Sequence, residues 1–538
     1  MTKKLFDKIT MRMETEGFKI HGAICDLGNG TFQKNIGFSK KKAFSFTNVF
    51  DRKRKIYLFP DAPHMLKLMR NHLFDNGFLI PRSDGKKLID GPLVELRKED
   101  FEKLIENQTD LKIAFKLTPY HLDVQGSERQ RVRPAAQLFS HTTATAMMWG
   151  KSRSDEDYQE TVSKAYAVQL VNDWFDVMNS RCLDFRNKLK VPLGRNIDDQ
   201  MDVLNRMKDF LGKLQLIKKT NVHFIKGIIA SINSTQALYE ELVTNGPFDF
   251  LLTTRLNQDC LENLFSRIRA LGGPKDHPGP VEVLKRIKTI LISNQADIIV
   301  NKPAVEIEDG QDDETGMDHK RFGEVCQSDE KDDMDPLSFE NVTKFISRKS
   351  MPKNPVGNPE NENGQEENIE ADLGISNDPG DIKNWERSFK KWDKSYQGLT
   401  YLAGRIARKF RDKYPDLGWK TSETSFYEDT GLYTWLYSVS KGGLTRPSDD
   451  FMNDVEKFEK LFNEFHGEDV DRKSRVLDRF TKVLVDEFGK KYDLKIYQFF
   501  TKARTYIRIK ALILKIREEK KNKKSTRYYK KMGHVTQN

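Results

Sequence analysis

Residues 97–245 carry long, nearly unbroken helical periodicity, and this interval stands between two acid-bearing segments of a different kind. Upstream of it, residues 5–15 read as a short amphipathic helix, and FKIHGAICD reads as an apolar-rich strand that ends at Asp26 in the glycine-rich turn LGNG. A second strand, KIYLFPD, leads through APH into the helical pattern HMLKLMRNHLF, so Asp61 and His64 also lie at a strand exit. Downstream, LTTRLNQDCLENLFSRIRALGG brings Asn257, Asp259 and Glu262 to the start of an amphipathic helix. Asp26 and Glu262 are more than two hundred residues apart. They can share a site only if the helical interval is looped out as a domain inserted into an α/β fold, which is affordable because loop-closure entropy grows only logarithmically with length.

Asp259 and Glu262 lie three positions apart and share a helical face, while Leu261, Leu264, Phe265 and Ile268 recur at the spacing of a buried stripe. One side is expected to pack and the other to hold a cation. The same Asp and Glu also suit a plain helix N-terminus, where acids complement the dipole.

The chain has 538 residues, enough for three or four domains. Lys and Arg number 91 against 80 Asp and Glu, a formal net charge of +11 that favours a polyanionic partner. The four cysteines, Cys25, Cys182, Cys260 and Cys326, lie far apart without zinc-ligand spacing, which argues against a disulfide framework and a zinc finger. No apolar run is long enough to span a bilayer and the first residues show no secretory pattern, leaving cytosol or nucleus.

Residues 305–380 are acidic, rich in Asn and Gly and poor in aromatics, and are expected to be a disordered linker. Helical patterning returns from about residue 381 and ends in RTYIRIKALILKIREEKKNKKSTRYYKK, a strongly basic tail. A solvated helix end explains that tail as well as DNA-backbone contact or nuclear import does.

In order, AICDLGNG, FPDAPHMLKLMRNHL, RVRPAAQLFSHTTATA, NQDCLENLFSRIR, LAGRIARKF, SKGGLTRPS and FFTKARTYIRIK resemble P-element-type DNA transposases, the family of the THAP-domain transposase relatives. The resemblance spans nearly all of the chain outside the acidic linker. It implies an α/β RNase H-like core (residues 1–96 and 246–298) interrupted by a mostly α-helical GTP-binding insertion domain (97–245). An acidic disordered linker (299–380) and an all-α C-terminal domain with a basic tail (381–538) would follow. It also implies a nuclear protein that handles transposon-end DNA, with Mg2+ and GTP as cofactors, a homo-oligomer as a further partner, and no membrane.

Such enzymes cut and join DNA with two divalent ions held by clustered carboxylates. By the resemblance Glu262 is the last of three acids and Asp26 the middle one, with Asp61 its rival; Asp259 joins Asp26 and Glu262 as a metal ligand by helping to hold the nucleotide's magnesium. Lys116, Arg131, Val132 and Ser140 would meet phosphates and sugar, and Asn172, Phe175 and Asp176 the guanine base. Arg131 stands where the family usually has Lys, exchanging a point charge for a fork, and no Walker-type loop is present.

The first acid has no counterpart on an opening strand, because Asp7 falls inside the helical pattern, and the zinc-binding THAP module has none either. The resemblance therefore implies an N-terminally truncated enzyme or a derivative that has lost cleavage. The alternative is a non-enzymatic, domesticated regulator that binds DNA or GTP or oligomerises.

Overall fold

The computed structural model describes residues 3–26, 45–106, 110–149, 151, 155–181, 183, 187–218, 223–271, 278–292, 393–421, 433–440, 444–471 and 473–535. The expected linker at 299–380 lies outside the described residues, as do Cys182 and Cys326. The chain divides into two compact units, residues 1–106 with 114–316 and residues 107–113 with 317–538.

The first unit begins with α1 (Lys3–Thr15), β1 (Gly22–Cys25), β2 (Ser45–Thr47) and β3 (Lys55–Pro60). β3 is central in a mixed sheet of order β1-β3-β2, parallel to β1 and antiparallel to β2. Its continuous run Ile56 to Pro60 is buried, as a strand covered on both faces requires. Only Gly22–Cys25 of the expected strand 18–26 has strand geometry, because β3 offers it just four register partners. α1 is fixed by Glu14, whose carboxylate accepts from Ile20 N and Asn48 Nδ2, each at 2.8 Å, and pairs with Arg54.

α2 (Ala62–Asn76) follows β3 at once, capped by Asp61 and carrying Pro63 in its first turn. It ends at Gly77, whose φ of +65° and close approach to the Ile217 side chain demand a residue without Cβ. β4 (Phe78–Ile80), β5 (Val94–Leu96) and the two-residue β6 (Gln215–Leu216) form a small antiparallel sheet of order β5-β4-β6.

Between β5 and β6 run α3 (Lys98–Ile105), α4 (Pro119–Leu122), α5 (Val132–Leu138), α6 (His141–Met148), α7 (Tyr158–Met178) and α8 (Ile197–Lys213). α7 is buried on most of its circumference, with Trp174 fully enclosed, so it forms the axis of this helical part. α9 (His223–Tyr239) returns to the first sheet, where Ser234 Oγ donates to Leu58 O at 2.6 Å. A 3-10 turn (Thr253–Leu256), α10 (Asp259–Ala270) and α11 (Pro280–Ile292) complete the unit.

The expected buried stripe on α10 is corrected here. Ile268 is 4% exposed, but Leu261 and Phe265 are 43% and 46% exposed. α10 is held mainly through its first turn and by Arg286 Nη1 donating to Ile268 O at 2.9 Å, so most of its apolar side has no covering element among the described residues.

In the second unit, α12 (Lys394–Phe410), α13 (Thr434–Val439), α14 (Asp449–His466), α15 (Val476–Phe488) and α16 (Leu494–Val535) pack around Leu402, Phe458, Phe462, Phe480, Tyr497 and Phe500. The unit is not all-α as expected. β7 (Gly418–Lys420) pairs with β8 (Thr445–Pro447), and Arg446 of β8 stacks over the Trp419 and Tyr433 rings.

Residues 107–113, inside the interval read as the insertion, belong to this unit. Leu111 joins its apolar core, and a Cβ on Gly398 would meet Leu111 at 3.0 Å. Asp110 accepts from Arg504 at 2.6 Å and 3.2 Å and from Arg508, while Arg504 also bonds both oxygens of Glu459 at 2.7 Å. Burial alone would raise the Asp110 pKa, but the two guanidinia prevail and hold it below the usual carboxylate range.

A depressed acid contributes stability above its unfolded pKa and loses it as pH falls through the folded one. Asp110→Asn is therefore expected to destabilise the second unit by about 1–3 kcal/mol and lower its thermal midpoint, since Arg504 keeps Glu459 while Arg508 loses its carboxylate partner. The deficit relative to the parent should shrink as pH falls below about 4. An unchanged midpoint at neutral pH would show that the cluster does not hold the unit together.

Candidate carboxylate and nucleotide site

The parallel pairing of β1 with β3 aligns Cys25 with Pro60, and Asp61 N donates to Cys25 O at 3.2 Å. One residue further along, Asp26 and Asp61 leave the sheet side by side. Their settings differ. The Asp26 side chain is 52% exposed and its Oδ1 lies 3.7 Å from His64 Nδ1. Asp61 is 2% exposed, with Oδ2 accepting from His64 N and Oδ1 from Gln258 N, both at 2.8 Å.

Gln258 is the N-cap residue of α10, so the Asp61 carboxylate joins the first turns of two helices. Both helix ends favour its anion. Burial outweighs them and, with the charges of Asp26 and Glu262 adding to it, pushes the Asp61 pKa up to about 6.

Glu262 sits in the first turn of α10 with its side chain exposed, its pKa raised by partial desolvation and by Asp259 and Asp26 while Lys67 works the other way. Burial lowers the His64 pKa, favouring the neutral ring, although Asp26 opposes this. Asp26, Asp61, Asp259 and Glu262 thus share an electrostatic neighbourhood whose excess negative charge a divalent cation would relieve, and their oxygens are the hard donors such a cation prefers. Among the described residues no three His, Cys, Asp or Glu side chains are already arranged as a metal cage.

Lys67 was not singled out in the sequence. It lies one turn beyond His64 on α2, 8% exposed, and that i, i+3 spacing from His64 is the signal that could have found it. Asp7 lies on α1, with Lys3 Nζ 4.0 Å away.

The residues expected to meet a nucleotide divide between two places. Asn172, Phe175 and Asp176 occupy one stretch of α7, and Ser140 caps α6 beside it. Asn172 Oδ1 accepts from His141 N at 3.2 Å and its Nδ2 donates to Asp176 Oδ2 at 3.1 Å. Asp176 Oδ2 also accepts from Asn187 Nδ2 at 2.8 Å, and its Oδ1 lies 3.6 Å from Lys190 Nζ. Phe175 and Val132 are buried, Arg131 is exposed at the start of α5, and Lys116 is half-buried in the loop before α4.

These two halves are stitched together. Thr253 Oγ1 donates to Val177 O at 2.6 Å and accepts from Ser180 N at 2.9 Å, while Thr254 N donates to Ser180 O at 3.1 Å. Asn257 Nδ2 reaches Asn179 Oδ1 and Asp259 Oδ2, both at 3.3 Å, and Arg181 approaches Asp259 Oδ2 at 3.4 Å. The end of α7 is therefore tied to the start of α10. Asn179 and Arg181 carry this link through partners 78 residues away, and Asn187 and Lys190 flank it through Asp176; neither arrangement leaves a motif in the sequence.

A family profile described as "TNP-like, GTP-binding insertion domain" matches residues 63–192. The chain is 29% identical over 534 residues to the Transposable element P transposase of Drosophila melanogaster, covering 97% of this chain and 61% of that protein. To the DNA transposase THAP9 of Homo sapiens it is 26% identical over 242 residues, covering 42% of this chain and 25% of that one. A solved structure, the Drosophila P element transposase strand transfer complex, is 32% identical, with a TM-score of 0.48, over 56% of this chain and 66% of that chain. The chain spans about three fifths of the length of the P transposase it matches. Residues 63–192 thus match a TNP-like, GTP-binding insertion domain, and nearly the whole chain is similar to a P-element transposase.

Proposed function

We propose that this chain is a nuclear, transposase-type protein that binds guanine nucleotide and DNA and places a divalent cation between Asp26 and Glu262. The observation that carries this reading is the alignment of Asp26 with Asp61 at the ends of parallel strands, with Asp61 also pinning the α10 turn that bears Glu262. The fold reading that accompanies it is an RNase H-like sheet, residues 1–96 with 246–298, interrupted by a helical insertion at 97–245. Similarity to a DNA transposase and the net charge of +11 support nucleic acid as the partner. Assembly into a homo-oligomer on DNA belongs to the same reading.

Mg2+ bound at this site would act as a Lewis acid on phosphate oxygen. Asp26, the open acid, and Glu262 would hold it. Asp61, both of whose oxygens already accept backbone N–H groups, orients the turn that carries Glu262. Neutral His64 and the Lys67 cation sit on the α2 turns beside them, where Lys67 offsets part of the negative charge.

At the nucleotide end, Asp176 offers a carboxylate to the ring N–H and exocyclic amine of guanine, with Asn172 holding its rotamer and Phe175 giving a ring face. Lys116 and Arg131 supply cations for phosphate, while Val132 and Ser140 line the helix starts beside them. Asp259, at the seam between α7 and α10, is placed to share the nucleotide's magnesium.

Titration calorimetry of the full chain should show GTP binding with preference over ATP. Asp176→Asn should weaken GTP at least tenfold, as loss of a charge-assisted hydrogen bond implies, and should erase that preference. No heat with GTP, or an Asp176→Asn chain that still discriminates, would remove the nucleotide half of the reading.

On DNA carrying terminal inverted repeats, this chain alone is expected to bind with steep salt dependence and to give no strand transfer in Mg2+ or Mn2+. Asp7, on α1 and paired with Lys3, does not supply a third acid. Strand transfer by the chain itself would contradict this, and abolition of that transfer by Glu262→Gln would locate the chemistry at this cluster all the same.

A further inference from the structure

A groove of about 560 Å³ opens in the first unit between the C-terminal half of α8, the middle of α7 and the turn before β5. None of the residues assigned above to cation or nucleotide lines it. Its wall carries four cations, Lys87, Arg206, Lys208 and Lys213, against one acid, Asp209. Tyr166 of α7 lines it as well.

Two of the cations, Arg206 and Lys208, are held through their charged groups, and Lys87 through its backbone. Lys87 sits in a tight hairpin closed by the Ser83–Leu88 bridge, with Ser83 Oγ donating to Lys87 O at 2.7 Å and Asp84 Oδ1 accepting from Lys87 N at 2.9 Å. Arg206 Nε donates to Asp202 Oδ2 at 2.7 Å, which fixes the guanidinium and leaves its other N–H groups outside that pair. Lys208 Nζ donates to Gln236 Oε1 at 2.9 Å, a neutral partner that anchors the ammonium without cancelling its charge. Lys213 is exposed at the last turn of α8.

The independent observation is the Tyr166 hydroxyl. The side chain is 5% exposed, and its oxygen is enclosed with no hydrogen-bond partner of good geometry among the described residues, lying only against the Arg206 guanidinium. Burial raises its pKa, so it keeps its proton and remains a donor. A buried phenolic donor without an acceptor, set beside an arginine and ringed by lysines, is what a tetrahedral oxyanion satisfies.

We propose that this groove binds a phosphate group, with the Arg206 guanidinium and the Tyr166 hydroxyl donating to its oxygens and Lys87, Lys208 and Lys213 balancing its charge. The volume lies within the range of small-ligand pockets and suits a diphosphate. The same chemistry is offered by a soluble phosphate ester and by the backbone of nucleic acid.

The test is titration of the full chain with inorganic pyrophosphate and, separately, with a duplex of arbitrary sequence. The parent, Arg206→Ala, Lys213→Ala and Asp176→Asn are compared, with circular dichroism and thermal midpoint as folding checks. The proposal expects saturable pyrophosphate binding that weakens at least tenfold in Arg206→Ala, weakens severalfold in Lys213→Ala, and is unchanged in Asp176→Asn. Lys213 is exposed, so its substitution stays informative if Arg206→Ala unfolds.

If the two groove variants weaken pyrophosphate and leave the duplex unchanged, the site takes a small phosphate ligand. If they weaken both, it also grips the nucleic-acid backbone; both results support the site. Absence of pyrophosphate binding, binding indifferent to the groove variants, or binding lost instead in Asp176→Asn would overturn it.

Discussion

The Asp61 carboxylate holds together three elements that the chain brings from far apart. It leaves the central strand β3, caps α2 through His64 N, and accepts from Gln258 N at the cap of α10, nearly two hundred residues later. Each bond satisfies a helix-start N–H that would otherwise lack a partner. Removing the carboxylate would leave two partly buried N–H groups without it, each costing at most about 1–3 kcal/mol, and would release the turn that presents Glu262. Asp26 follows the neighbouring parallel strand and lies near enough to Glu262 for its charge to help raise that carboxyl's pKa.

The same turn is held from its other side. Thr253 and Asn257 bond to Val177, Asn179 and Ser180 at the end of α7, whose preceding turns carry Asn172, Phe175 and Asp176. The start of α10 is therefore gripped by the sheet through Asp61 and by the helical part through α7. Anything that shifts the end of α7 must also shift Asp259 and, one turn later, Glu262. On the proposed reading, a nucleotide held at those turns would reach the acids through this short run of hydrogen bonds.

Much of this was legible in the sequence. Acids at the ends of FKIHGAICD and KIYLFPD, proline after the cap and an NQD-x-x-E helix start are local signals, and local signals survive folding because they arise from backbone chemistry. What escaped notice depends on partners remote in the chain. The apolar spacing of Leu261 and Phe265 indicated a face but not whether anything covers it, and both are exposed. The partners of Asp110, Arg504 and Arg508, lie almost four hundred residues downstream, beyond the reach of any local pattern. β7 and β8, three residues each, are too short to show alternation, and they are held by Arg446 stacking on Trp419 and Tyr433. The bridging of Asp61 to α10 uses a backbone N–H, which leaves no mark in the amino-acid pattern.

The account turns on Asp26 and Glu262 facing one cation, and a double-mutant cycle on Mn2+ affinity, read by electron paramagnetic resonance, tests it most directly. Asp26→Asn and Glu262→Gln should each weaken Mn2+ at least tenfold. Together they should cost clearly less than the sum of the two, by about 1 kcal/mol or more, as side chains sharing a ligand do. Affinity in the parent should fall with falling pH, and because desolvation, Asp259 and Asp26 raise the Glu262 pKa, the loss should begin above the ordinary carboxylate range. Strictly additive losses, or an affinity that neither substitution changes, would mean that the two acids serve no common ion.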